Sequence, residues 1–219
     1  MLIEGINVKW HGHATFSFNW EGKVVYTDPF VIPASPEKAS LVLVTHSHYD
    51  HCDPDKIRAV SGPETKVVCP PDCLEKLPGS ECIPISPGKE IMVAGIKVKA
   101  VPAYNTNKFK APGVPFHPKE NNWVGYLFTL GQTTFYHAGD TDKIPEMKEL
   151  AGKVDVAMLP VGGTYTMNLQ EAVEAVSIIR PKVFIPMHYN TLPGLELKEQ
   201  EIRKACENLN SKLVIMEVE

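Results

Sequence analysis

A chain of 219 residues can bury most of the surface that its unfolded form exposes, so it needs neither disulfides nor a structural metal to hold a core. Apolar residues make up 43% and charged residues 22%, the balance of an ordinary globular domain. The net charge of −4 is scattered and leaves no basic stripe, which argues against nucleic acid as a partner.

The opening residues, MLIEGINVKWHGHATF, show no basic segment leading into an apolar one, so no secretory leader is expected. No apolar run reaches the roughly 18 residues that span a bilayer, so membrane insertion is not expected. Five cysteines (Cys52, Cys69, Cys73, Cys82, Cys206) are odd in number and lack CxxC spacing, which points away from a disulfide framework or a thiolate zinc site. These absences together suggest a cytoplasmic chain.

In chain order, Val8 to Trp10, Thr15 to Trp20 and Lys23 to Thr27 are rich in aromatic and β-branched residues and read as strands, with a tight turn at Glu21-Gly22. Leu41 to Thr45 is a continuous apolar run of strand length, expected to be buried on both faces. Asp53-Pro54 opens a short helix to about Val60, with aspartate as cap and proline at the first helical position. Lys66 to Cys69 and Ile96 to Val101 return to strand. Residues 102–122 form a long loop rich in Pro, Gly, Asn and Lys, and such loops are more often functional than idle.

The order of elements then starts again. Trp123 to Leu130 and Thr133 to His137 form a hairpin across Gly131-Gln132, Lys143 to Leu150 reads as a helix, and Asp155 to Pro160 as a buried strand. Asn168 with Glu171 forms a capping box for a helix that stops before Pro181. Lys182 to Pro186 is a strand, Lys198 to Leu209 a helix and Lys212 to Val218 a closing strand. This alternation predicts an α/β sandwich of two mixed sheets with helices outside, as one domain over 1–219 whose halves, about 1–101 and 123–219, are joined by the 102–122 loop.

All eight histidines fall at strand ends or in loops. The densest group is Thr45-His46-Ser47-His48-Tyr49-Asp50-His51, fed by a buried strand and therefore placed at the carboxyl edge of a sheet, where α/β sites gather. His46 and His48, two apart, point to one side if extended, and the turn that follows brings Asp50 and His51 back to the same space. Three imidazoles and a carboxylate suit zinc, iron or manganese. No GxSxG or comparable nucleophile motif competes with a metal centre.

HSHYDH resembles the HxHxDH signature of the metallo-β-lactamase superfamily, and the likeness extends over essentially the whole chain. Asp28 in YTDPF, Asp140 in YHAGDTD and His188 in PMHYN support it. The early GHA, VPA, HAGDT, PVGG and PMHY resemble a small metal-dependent hydrolase branch, with ascorbate-6-phosphate lactonase and N-acylphosphatidylethanolamine phospholipase D as more distant likenesses. The resemblance implies a four-layer αββα sandwich. It also implies two divalent ions, zinc first with manganese or iron as alternatives, and a bridging hydroxide that cleaves a small ester, lactone or phosphodiester.

On this likeness His46 and His48 hold the first metal, Asp50, His51 and His188 hold the second, and Asp140 bridges; Asp50 also orients the nucleophile. The family usually supplies a third histidine to the first metal at the position of Asn105. Either Asn105 coordinates through its carbonyl oxygen or His117 swings in from the loop, and imidazole is the better ligand. His13 is expected near the metals as support or substrate contact, Asp28 behind a metal histidine, and His137 behind Asp140. Tyr104, Lys108, Phe109, Trp123 and the Gly162 to Thr166 segment are candidate contacts for a small substrate, with Lys108 suiting an anionic one. A metal-binding scaffold or sensor without turnover is the alternative, and a nuclease a weaker one.

Overall fold

The computed structural model describes residues 1–219. The first sheet holds seven strands in sequence order: β1 (Leu2–Ile3), β2 (Ile6–Gly12), β3 (Thr15–Trp20), β4 (Lys23–Thr27), β5 (Ala39–Leu43), β6 (Ser61–Cys69) and β7 (Glu81–Pro84). β1 to β4 are antiparallel neighbours, and β4 to β7 run parallel. The chain continues through β8 (Glu90–Val93), β9 (Ile96–Pro102), a small hairpin of β10 (Phe109–Ala111) and β11 (Val114–Pro115), then β12 (Val124–Leu130), β13 (Thr133–His137), β14 (Val156–Pro160), β15 (Val183–Met187) and β16 (Lys212–Leu213). The second sheet has the order β16-β15-β14-β13-β12-β9-β8, again antiparallel at one side and parallel at the other.

Side-chain alternation decides which face is buried. In β3, Phe16 and Phe18 turn inward, and Phe18 meets Phe128 and Phe135 of the opposite sheet edge-on at 5.0 Å between centroids. Such aromatic pairs add about 0.5–1.5 kcal/mol beyond the area they bury. The main core runs between the sheets and on beneath the helices α2 (Leu169–Ile179) and α3 (Glu199–Cys206). A smaller core, holding Cys52, Cys69 and Cys73, lies between the first sheet and α1 (Pro54–Val60). The result is two mixed sheets face to face with few helices outside. No helix is long and apolar enough to cross a membrane.

The caps act as the sequence predicts. Asp53 accepts hydrogen bonds from the amides of Asp55 and Lys56 to start α1. Asn168 and Glu171 exchange both bonds of a capping box to start α2. Two predicted elements are corrected. Lys143 to Leu150 yields only a 3₁₀ helix over Pro145–Leu150, because Pro145 sets the start and only a short apolar stripe (Met147, Leu150) is available to bury. The closing strand pairs with β15 only at Lys212–Leu213; the chain then crosses over, and Val218 bridges to Trp10 in the first sheet. Leu213, Val214, Ile215 and Met216 pack with the main core, whereas Val218 is exposed.

Candidate metal centre

The centre forms where the parallel strands end. After Leu43, Val44 still donates to Val68, and the chain then turns so that the amides of His51 and Cys52 both donate to the His48 carbonyl. That closure brings His46 Nε2 to 3.0 Å from His48 Nδ1 and sets His51 beneath them. Asp28, at the end of β4 and fully buried, accepts from the Thr45 amide (2.7 Å), the Thr45 hydroxyl (2.7 Å) and His51 Nδ1 (2.8 Å). Its φ of +40° is a conformation that aspartate tolerates better than most residues. One carboxylate thus fixes both the turn and the orientation of the His51 ring.

The second half supplies the opposing wall. Asp140 follows β13, and His188 follows β15 at a φ of +60°. Gly139 admits Asp140 at close quarters: a Cβ there would lie 2.9 Å from the Val124 carbonyl and 3.0 Å from Thr45. Asp140 Oδ2 stands 3.2 Å from both His117 Nε2 and His188 Nε2, and Oδ1 stands 3.4 Å from His51 Nε2. Asn105 is engaged elsewhere. Its carbonyl oxygen accepts from the His117 amide and from His117 Nδ1, and its NH₂ donates to Asp142 and to the Tyr165 carbonyl. Asn105 therefore presents His117 to the centre and has no free atom for a metal.

Whether these residues suit metal ions can be tested on their unmet atoms. Buried nitrogens and oxygens without a hydrogen-bond partner include His51 Nε2, His117 Nε2, Asp140 Oδ1 and both ring nitrogens of His188. Burying such atoms unpaired is costly. His51 Nε2 lies 3.4 Å from Asp140 Oδ1, and His117 Nε2 and His188 Nε2 each lie 3.2 Å from Asp140 Oδ2, the spacing of neighbouring donors around one ion with bonds of about 2.1 Å. Three overlapping donor sets result: His46, His48 and His117; His46, His51 and Asp140; and His13, Asp50, His51 and His188.

Protonation favours the same reading. Burial pushes His48 down to about 4 and His46 well below the ordinary range, so both are neutral at pH 7, the form in which an imidazole can hold a metal. Burial also opposes charge on Asp50 and Asp140, but facing imidazoles outweigh it. Asp50 is lowered to about 2, mainly by His51 and the bond from His13, and Asp140 well below its usual range by His188 and His51. His51 shows the converse: desolvation opposes its charge, yet Asp140, Asp28 and Asp50 raise its pKa well above 6.5. The three carboxylates thus favour the charged form of His51.

A family model described as a beta-lactamase superfamily domain matches residues 7–188. This chain belongs to the metallo-β-lactamase superfamily. It is 35% identical over 228 residues to a UPF0173 metal-dependent hydrolase of Thermoplasma acidophilum, across 99% of this chain and 98% of that one. It is 34% identical to another from Pyrococcus abyssi, across 96% of each. Among solved structures, a protein of Parabacteroides distasonis superposes with a TM-score of 0.84 at 29% identity, covering 98% of this chain and 94% of that one. Igni18, a metallo hydrolase of Ignicoccus hospitalis, gives 0.77 at 26%, covering 97% and 95%. The chain is thus a metal-dependent hydrolase of this superfamily.

Several residues singled out from this metallo-β-lactamase sequence stand elsewhere than expected. His137 does not touch Asp140: its Nε2 donates to the Ala14 carbonyl at 2.8 Å and its Nδ1 accepts from Gly139, so it ties the β2–β3 turn to the Asp140 loop. Lys108 is no free cation, because Glu171 (2.8 Å) and Asp142 (3.7 Å) hold it. Tyr104 turns its hydroxyl to Glu146 and lies under Lys119. Phe109 projects from β10 into solvent. The Gly162 to Thr166 segment braces the centre from behind: a Cβ on Gly162 would lie 2.5 Å from the His188 carbonyl. Trp123 does reach the centre, packing against His46, His48 and His117 with centroids 4.8–5.7 Å apart.

Sequence reasoning missed the 3₁₀ helix Pro71–Lys76 as a brace. Its Asp72 accepts from Trp123 Nε1 at 2.7 Å, and its Lys76 donates to the Ser47 carbonyl. Nothing in PPDCLEK announces that role, which rests on contacts remote in sequence.

Proposed function

We propose that this chain uses two divalent metal ions, zinc first among them, to hydrolyse a small ester, lactone or phosphodiester. The observation that supports this best is the convergence of His46, His48 and His117 on one side of Asp140 and of Asp50, His51 and His188 on the other, with unpartnered atoms directed into the space between. When bound, such an ion pair supplies Lewis acidity and lowers the pKa of water towards neutrality.

In this reading His117 is the third histidine of the first set, and Asn105 serves it as a positioning residue. Asp140 joins the two sets. Asp50, partly open to solvent, would complete the second set and orient an attacking water by accepting a hydrogen bond from it. Asp28 holds His51 in the tautomer whose Nε2 lone pair faces inward. Trp123 walls one flank and excludes water from the His46 and His48 rings. Lys108 is paired to Glu171 and Asp142, so the charge of an anionic substrate would fall to the bound ions. The single unit of two halves, joined by 102–122, fits this arrangement because each half supplies one wall.

The test is metal content of the purified protein, with hydrolysis of bis(p-nitrophenyl) phosphate and a lactone panel, beside a His48→Ala control. Two equivalents of metal, and turnover lost in the control, support the proposal. No bound metal, or turnover unchanged in the control, refutes it.

A further inference from the structure

His13 lies outside the ligand set that HSHYDH, Asp140 and His188 make up, yet it stands inside the second donor group. One donor atom from each of His13, Asp50, His51 and His188 lies within 4.8 Å of the other three. Its Nε2 is 3.1 Å from Asp50 Oδ2, the spacing expected for neighbouring donors on one ion, and its ring lies 3.8 Å from that of His188, centroid to centroid. The side chain is fully buried, and Nδ1 has no hydrogen-bond partner.

The backbone commits His13 to this place. A register shift between Trp10 and Gly12 in β2 and a φ of +53° at His13 turn its side chain inward. Three bonds then fix it: its amide donates to the Thr191 hydroxyl (2.9 Å), and its carbonyl accepts from the His188 amide (2.9 Å) and from Trp10 Nε1 (3.1 Å). His13 and His188, both at left-handed positions, are thereby locked as a pair. Non-glycine residues held in that region are strained, and such strain gathers at functional sites.

Both neutral tautomers of His13 leave something unmet when no cation is present. With the proton on Nε2, which then donates to Asp50, the Nδ1 lone pair is buried without a donor. With the proton on Nδ1, that N–H is buried without an acceptor, and the Nε2 lone pair faces a carboxylate oxygen. A cation at Nδ1 completes the first case, with the Nε2–H still donating to Asp50; a cation at Nε2 removes the clash of lone pair and carboxylate in the second.

Building on the two-ion reading above, we propose that His13 is an additional ligand of the second metal. That site then draws on His13, Asp50, His51, His188 and the shared Asp140, whereas the first draws on His46, His48, His117 and Asp140. The richer donor set makes the second site the tighter one and the first to fill, and it leaves open coordination for substrate on the first ion, beside His48 and Trp123.

Cobalt(II) titration of the whole chain tests this, followed by calorimetry and by visible absorption, in wild type, His13→Asn and His13→Gly. Both substitutes tolerate the positive φ, so folding is preserved and can be checked by circular dichroism. The expected result is a loss of at least tenfold in affinity for the first equivalent bound, with stronger ligand-field absorption as that ion loses a ligand and moves towards four-coordination. The second equivalent should bind as in wild type. An unchanged spectrum and an affinity within twofold of wild type would overturn the assignment while leaving the two-ion reading intact. A wild-type protein that binds less than two equivalents overturns that reading itself, and this assignment with it.

Discussion

Asp28→Asn is the perturbation that isolates how the protein shell would control the second of the two proposed ions. The carboxylate is fully buried and accepts three short bonds, from the Thr45 amide, the Thr45 hydroxyl and His51 Nδ1. Asparagine is nearly the same shape and tolerates the φ of +40°, so the backbone keeps its path. Its Oδ1 can still accept from the Thr45 amide, but its NH₂ now faces His51 Nδ1. His51 must then accept at Nδ1 and carry its proton on Nε2, the nitrogen that points at Asp140 from 3.4 Å. That tautomer cannot ligate.

Loss of a carboxylate behind a metal histidine typically weakens affinity 10–100-fold, which is about 1.4–2.8 kcal/mol. The first set should feel much less, because His46 connects to Asp28 only through the Thr45 hydroxyl, 3.0 Å from its Nδ1. Stepwise zinc titration by calorimetry, with circular dichroism to verify folding, reads both affinities. A 10–100-fold loss confined to one site is expected. Two affinities within twofold of wild type would refute the claim that Asp28 sets the His51 tautomer.

His117→Ala should abolish binding at the weaker site and leave the tighter one, measured by metal stoichiometry after dialysis. Asn105→Ala should weaken that same site and also lower stability by roughly 1–3 kcal/mol in chemical denaturation, because four hydrogen bonds are lost and Asp142 and His117 are left partly unpaired. Gly162→Ala forces a Cβ to 2.5 Å from the His188 carbonyl and should destabilise the protein by about 1–3 kcal/mol while loosening the second site; a melting temperature equal to wild type would contradict that packing. His51, with its pKa raised, stabilises the metal-free fold fully below its unfolded value of about 6.5, and this contribution fades as pH rises through the folded pKa. Asp50, lowered to about 2, has the opposite sense: its contribution is present above about 4 and is lost as pH falls towards 2. Melting curves of chelated protein across pH check both signs. Zinc uptake at neutral pH should release about one proton from His51, read by calorimetry in buffers of different ionisation enthalpy.

The parts of the fold legible in the sequence are those specified locally. Asp53-Pro54 and the Asn168 to Glu171 box begin helices within a turn of their own position, and the β3–β4 hairpin follows from Glu21-Gly22. β7, β8 and the β10–β11 hairpin were not legible, because their residues are short, charged or proline-bearing and lie largely exposed. The site divides in the same way. His46, His48, Asp50 and His51 share one turn and could be grouped by spacing alone, whereas Asp140 and His188 came in through family resemblance. The choice between Asn105 and His117 depends on how a loop closes, through the bond from the His117 amide to the Asn105 carbonyl oxygen. Pattern cannot show that. His13 escaped the donor set for a similar reason: its inward turn depends on a bulge and a positive φ, and its partner His188 is remote in sequence.

The most direct test of the two-ion centre is anomalous diffraction at the zinc edge from crystals of the zinc-loaded protein. Two peaks about 3.5–4 Å apart are expected, one among His46, His48 and His117, the other among Asp50, His51 and His188, with Asp140 between them. A single peak, or zinc bound away from these residues, would contradict it.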